Sequence, residues 1–166
     1  ARSLEEASAQ LTSLVLKGSM PPGLEIAMRE VFRRIFGTAR CAIRSSAVGE
    51  DAAFSFAGQF KTVLNVDAAS LVEAYKEVLA SKYSPGAISY RVKNGFLDRE
   101  TPMAVLAVEM VDASASGIVY SRSPLLASKS GITIYAIWGM GELLVKGDTV
   151  PDVLELSMAG DRKSVG

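Results

Sequence analysis

The stretch Cys41–Gly58, Cys-Ala-Ile-Arg-Ser-Ser-Ala-Val-Gly-Glu-Asp-Ala-Ala-Phe-Ser-Phe-Ala-Gly, gathers the side chains best suited to chemistry. An apolar run, Cys41, Ala42 and Ile43, has the character of a buried strand and stops at Arg44. Two hydroxyls follow, Ser45 and Ser46, and then a loop with Gly49 and Gly58 around Glu50, Asp51, Phe54 and Phe56. A guanidinium at the end of a buried strand needs an anion, because it brings five donors and a charge that cannot be titrated away. Arg44 is therefore the first candidate for a phosphate contact. Ser45 and Ser46 offer donors without bulk, and their backbone N–H groups can point the same way, which suits an anion cradle. Taken alone, the trio fits a structural salt bridge and a turn better than an anion site; the residues elsewhere in the chain raise the second reading.

Composition narrows the chemistry. The chain has no histidine, so Ser-His and Cys-His catalysis and a phosphohistidine carried here are excluded, and a structural zinc site is disfavoured. Any acid–base or covalent step must rest on carboxylate, lysine or another chain. One cysteine excludes an internal disulfide and agrees with a reducing cytoplasm. The 18 basic and 18 acidic residues cancel, leaving no electrostatic footprint for nucleic acid or an acidic membrane. The longest apolar run, Met103 to Val111, is interrupted by Glu109 and is too short for a membrane span. The first residues lack the architecture of a secretion signal. A bound anion would be held locally.

The elements that must position these residues can be read from periodicity. Leu4, Ala7, Leu11, Leu14 and Val15 predict an amphipathic helix from about Leu4 to Lys17, closed by Gly18. A second helix is expected from about Leu24 to Phe36, with Ile26, Val31, Ile35 and Phe36 apolar, Arg29, Arg33 and Arg34 outward, and Gly37 as its stop. Gln59 to Val66 alternates as a half-buried strand does. Asp67 is expected to cap a helix running to about Tyr83, and Ser84-Pro85 to open another that ends at Asn94-Gly95. Arg91 falls near the end of that helix, where a cation suits the dipole better than it suggests a ligand. Met103 to Met110 predicts a strand buried on both faces. Asp112 to Gly117 reads as a turn, Ile118 to Tyr120 and Ile132 to Trp138 as strands, and Val153 to Leu156 as a last strand. Helices first and strands later give an α+β class with a mixed or antiparallel sheet and packed helices. At 166 residues the chain is most simply one domain, a helical lead-in over 1–38 and a core over 39–166.

Arg44-Ser45-Ser46-Ala47, Glu50-Asp51, Ser55-Phe56-Ala57-Gly58-Gln59 and Leu64-Asn65-Val66 form an ordered set with Ala87-Ile88-Ser89-Tyr90-Arg91, Glu109-Met110-Val111, Ser116-Gly117-Ile118-Val119-Tyr120, Trp138-Gly139-Met140-Gly141-Glu142 and Pro151-Asp152. This set resembles the nucleotide-binding domain shared by phosphoenolpyruvate synthase and pyruvate phosphate dikinase, over roughly Arg44 to Leu156. Ser-Phe-Ala-Gly-Gln resembles the synthase branch more than the dikinase branch.

The resemblance implies an ATP-grasp-like nucleotide-binding subdomain that moves phosphoryl groups from ATP toward a histidine on a separate domain and then to pyruvate. It also implies that Arg44 contacts the nucleotide phosphates and that Glu109, Met110 and Val111 meet the adenine, largely through backbone groups. Glu109 departs from the glutamine usual there, and a solvated charge at a strand end explains it equally well. Glu142 is expected to steady Arg44 or another basic residue, and Glu50 and Asp51 to approach metal or water, although solvated loop acids are the ordinary case. The family's glycine-rich lysine segment, its magnesium carboxylates and its phosphohistidine and phosphoenolpyruvate/pyruvate domains have no counterpart here. The expectation is thus a partial domain, inactive alone, that takes ATP, with the ligands for Mg2+ outside it and truncated apolar surface prone to self-association. Two alternatives stay open: the ATP-binding part of a related enzyme with an antibiotic or glucan acceptor, and a non-catalytic binding module.

Overall fold

A computed structural model describes residues 3–47, 60–121, 131–157 and 162–165. The chain divides into two units, Ala1–Met110 and Val111–Gly166. Helices and antiparallel sheets make it an α+β protein, as its periodicities predict.

In the first unit, α1 (Leu4–Lys17) and α2 (Pro22–Phe36) precede a three-stranded antiparallel sheet in the order β2–β1–β3, formed by β1 (Cys41–Ala47), β2 (Thr62–Val66) and β3 (Met103–Glu109). Between β2 and β3 lie α3 (Leu71–Ser81) and α4 (Pro85–Lys93). The start of α1 is fixed by a reciprocal cap: Ser3 Oγ accepts the Glu6 N–H and Glu6 Oε2 accepts the Ser3 N–H, both at 3.2 Å. Ser84 caps α4 by accepting the Ala87 N–H, with Pro85 in the first turn. Asp67 acts one step before α3: its Oδ1 accepts the Ala69 and Ser70 N–H groups and the Ser70 hydroxyl, shaping the turn that launches the helix.

The core draws its strand residues from one face of this sheet. Cys41 and Ile43 of β1, Val63 and Val66 of β2, and Met103, Val105 and Ala107 of β3 pack with Met28, Phe32 and Phe36 of α2 and Leu71, Ala74 and Val78 of α3. Each fully buried Ile or Val there is worth about 1.5–3 kcal/mol. Phe32 and Phe36 meet with ring centroids 5.1 Å apart.

Three expectations change in this unit. β3 is not buried on both faces: Leu106 and Val108 are 48% and 43% exposed, so its continuous apolar run conceals an alternation. On α2 the core side is Met28, Phe32 and Phe36, whereas Ile26, Val31 and Ile35 are exposed. Arg29 is half-buried rather than outward, because its guanidinium donates to the carbonyls of Ala68 and Ala69 and pairs with Glu25; Arg33 and Arg34 do face solvent.

The second unit is a four-stranded antiparallel sheet, β4 (Ala115–Tyr120), β5 (Gly131–Trp138), β6 (Asp152–Ser157) and β7 (Arg162–Val165), in that order, with α5 (Glu142–Lys146) between β5 and β6. The expected turn over Asp112–Gly117 is shorter, because β4 begins at Ala115. Gly117 is required where it stands: a Cβ there would lie 2.7 Å from the Tyr135 carbonyl oxygen. Helix α5 and strand β7 have no counterpart in the periodicity reading, each being too short for a pattern to register.

Candidate functional site

Strand alternation sorts the Arg-Ser-Ser trio. Cys41 and Ile43 face the core and Arg44 lies on the opposite, open face, followed there by Ser46. Ser45, half-buried, alternates back to the core side. The structure thus brings Arg44 and Ser46 together and separates Ser45 from them. On the neighbouring strands Arg44 pairs with Leu106 and Thr62, and Ser46 pairs with Ala104. The open face therefore carries Ala104, Leu106 and Val108 of β3, Arg44 and Ser46 of the central strand, and Thr62 of β2 across from Arg44. Among the described residues Arg44 makes no ion pair and no side-chain hydrogen bond.

At the far end of this sheet Glu109 pairs with Cys41 in register, three residues along β1 from Arg44, which is about 10 Å. Glu109 is exposed and belongs to the Cys41 face, not the Arg44 face. Burial pushes the Cys41 thiol above its ordinary range, and the Glu109 charge adds to that. The thiol is consequently a packing group, not a nucleophile.

Met110 is held from both sides: its N–H donates to the Arg40 carbonyl at 2.9 Å, and its Sδ accepts the Asn65 N–H at 3.0 Å. Arg40 in turn donates to the Asn65 carbonyl at 3.0 Å and pairs with Asp67 at 2.8 Å. Asp67 is held down to about 2, first by the Ser70 N–H and then by the Ser70 hydroxyl, with Arg40 and the Ala69 N–H assisting.

The remaining candidates, Val111 and Glu142, belong to the second unit. Val111 is exposed, and its carbonyl accepts the Ala113 N–H at 2.9 Å. Glu142 opens α5 and pairs with Lys146 one turn on, at 2.6 Å, so the basic partner found for it is local. Before it, Gly139 turns at φ +78°, with its N–H on the Ser114 carbonyl and its own carbonyl accepting the Ser116 hydroxyl at 2.7 Å. Trp138 beside it is 85% exposed. Glu50, Asp51 and the block Ser55–Gln59 lie outside the described residues. Among the described residues, no three acidic or thiol side chains converge.

A second polar group lies apart from the sheet. Arg91 is buried; it donates to the Lys82 carbonyl at 2.6 Å and lies 5.7 Å from the centre of the Tyr83 ring. Lys82 and Arg91 share Asp98, at 3.0 and 3.8 Å. Burial, and next the Asp98 charge, push the Tyr83 hydroxyl upward. Arg91 was legible in sequence only as a helix-end cation; that a Lys, a Tyr and an Asp converge on it was not, because Lys82 and Tyr83 follow α3 while Asp98 lies beyond the end of α4.

Residues 1–164 match the family described as pyruvate phosphate dikinase, AMP/ATP-binding domain. The chain is 38% identical to the phosphoenolpyruvate synthase of Aeropyrum pernix over 89% of its own length and 19% of that protein. It is 34% identical to the phosphoenolpyruvate synthase of Escherichia coli over 98% of its length and 22% of that protein. With the rifampicin phosphotransferase of Streptomyces sviceus it shares 36% identity over 90% of its length and 17% of that protein. The chain thus spans about a fifth of the length of these curated relatives. Among the described residues, no helix is long and apolar enough to cross a membrane.

Proposed function

The chain belongs to the pyruvate phosphate dikinase AMP/ATP-binding domain family, and on that premise we propose that it is the ATP-binding part of a phosphoenolpyruvate synthase-like phosphotransferase, inactive alone. ATP supplies the phosphoryl group, which passes to a histidine on another domain and then to pyruvate. The part of this chain is to bind and orient the nucleotide. Arg44 neutralises phosphate charge, Ser46 adds a hydroxyl donor beside it, and the backbone around Met110 takes the adenine edge some 10 Å along the sheet. Ser45 supports the same strand from its core side, and Glu142 steadies basic charge near the second unit's glycine turn. The sheet serves as the floor of an ATP-grasp-like site.

The observation that carries this reading is the open Arg44. A cation that pairs with no carboxylate among the described residues, on a face it shares with Ser46, Thr62, Ala104, Leu106 and Val108, has surroundings that suit an anionic ligand. Apolar neighbours Leu106 and Val108 strengthen its field by excluding water once a ligand covers them. No described residue is assigned to magnesium.

Calorimetric titration with ATP tests the reading. The native chain is expected to bind, and Arg44→Ala to lose most of that affinity while staying folded; equal binding by both would reject Arg44 as the phosphate contact. A second reading keeps the ATP site and changes the final acceptor, and the rifampicin phosphotransferase relative favours it. Discrimination lies in the acceptor: phosphoryl transfer to pyruvate by the whole enzyme supports the first, and transfer to an antibiotic the second.

A further inference from the structure

Arg40, Asn65 and Met110 close a ring. The Met110 N–H donates to the Arg40 carbonyl, the Asn65 N–H donates to the Met110 sulfur, and the Arg40 guanidinium donates to the Asn65 carbonyl. All three contacts lie between 2.9 and 3.0 Å. Asp67 holds the outer side of Arg40 at 2.8 Å, so the guanidinium is fixed between a carbonyl and a carboxylate.

Asn65 makes the ring possible through an uncommon backbone. Its φ of +59° is the left-handed conformation, and among the described residues no other non-glycine adopts a positive φ. The sheet register explains why it is needed. Cys41 pairs with Val66 and Ile43 with Val63, so one residue of β1, Ala42, faces two of β2, Leu64 and Asn65. This is a β-bulge, and an asparagine tolerates the left-handed position better than any side chain except glycine's absence of one. The bulge turns the Asn65 N–H out of the β1 ladder and toward the end of β3. The Met110 thioether, a weak acceptor, is the group that the bulged Asn65 N–H meets, at 3.0 Å.

We propose that Arg40 and Asn65 are positioning residues for nucleotide recognition: through the bulge and the Met110 sulfur they fix the main chain at Met110, whose carbonyl reads the base. This rests on the reading that the Glu109–Val111 segment meets adenine. The ring occupies the N–H and the side chain of Met110, which leaves its carbonyl as the group with a defined direction for a ligand. Base discrimination is then set by residues that touch no nucleotide, one on β2 and one just before β1.

The test compares ATP with inorganic tripolyphosphate, which keeps the phosphates and lacks the base, by calorimetry on the 166-residue chain. The native chain is expected to prefer ATP. Asn65→Val, which cannot hold the left-handed bulge, and Met110→Leu, which keeps the shape and backbone but loses the sulfur, are each expected to lower ATP affinity by about tenfold and to leave tripolyphosphate affinity within about twofold. Asn65→Gly, which restores the backbone conformation, is expected to recover the preference. If the native chain prefers ATP and Met110→Leu and Asn65→Val keep that preference, the positioning role is wrong and the adenine reading stands. If the native chain binds both ligands equally, the adenine reading fails and the role falls with it. Amide exchange at Met110 in the ligand-free chain checks the ring by itself: protection should fall in Asn65→Val and return in Asn65→Gly, and unchanged protection in Asn65→Val contradicts the ring.

Discussion

Arg91 and Arg44 stand in the same folding unit in opposite circumstances. Arg91 is 5% exposed, its guanidinium divided among the Lys82 carbonyl, the Asp98 carboxylate and the Tyr83 ring. Arg44 lies on an open sheet face and, among the described residues, meets no carboxylate. A buried charge is tolerable only when its partners are internal, whereas an open one beside apolar surface is available to a partner from outside. Arg91 is satisfied from within the fold, whereas Arg44 has no such partner among the described residues, and that contrast is why Arg44 is the one proposed for phosphate.

The largest effect is expected where the comparison is structural. Asp98→Ala removes the one carboxylate that Lys82 and Arg91 share, and the loss should reach about 2–3 kcal/mol in urea unfolding. That is less than for a fully enclosed pair, because Asp98 is 56% exposed. Arg44→Ala should do the reverse. Stability should change by no more than about 0.5 kcal/mol, while ATP binding should weaken by about 1.5–3 kcal/mol, roughly tenfold to a hundredfold. An Arg44→Ala chain as destabilised as Asp98→Ala would erase the distinction.

The two serines sharpen it further. Ser46→Ala, on the Arg44 face, should weaken ATP by about 0.5–1.5 kcal/mol in the same titration. Ser45→Ala should instead lower the unfolding midpoint and leave ATP affinity alone, since its hydroxyl is on the core side.

The smallest effect is electrostatic. Asp67 is held at about 2, below the 3.8 of an unperturbed carboxyl. A depressed carboxylate stabilises the fold above its unfolded value, and the contribution is lost as pH falls through the folded value. Unfolding midpoints should therefore decline between about pH 4 and pH 2, and Asp67→Asn should flatten that part of the profile. An unchanged slope in Asp67→Asn would show that another carboxylate controls it.

Much of this was legible from sequence, for identifiable reasons. Helices α1 and α4 announced themselves through Gly18 and through Ser84-Pro85, because capping is local chemistry. Arg44 announced itself as a charge directly after an apolar run, although β1 continues through it to Ala47 and carries it on the open face, not at the end of a buried strand. The faces of β3 were not legible, since alanine, valine and leucine alternate without a polar residue to mark the open side. Nor was the sorting of Ser45 from Ser46, which depends on which face of β1 the helices cover. The Asn65 bulge was hidden as well, because a register shift appears only when the strand opposite is known. The shared Asp98 was invisible for the same reason: its partners come from two other segments of chain, Lys82-Tyr83 after α3 and Arg91 on α4.

Thermal unfolding with increasing ATP, on the native chain beside Arg44→Ala, tests the central claim most directly. At a hundred times the dissociation constant ATP should add about 2.7 kcal/mol to the native chain, and markedly less to the variant at the same concentration. Equal stabilisation of both would contradict the assignment of Arg44 to phosphate, and stabilisation of neither would contradict a self-contained ATP site in this chain.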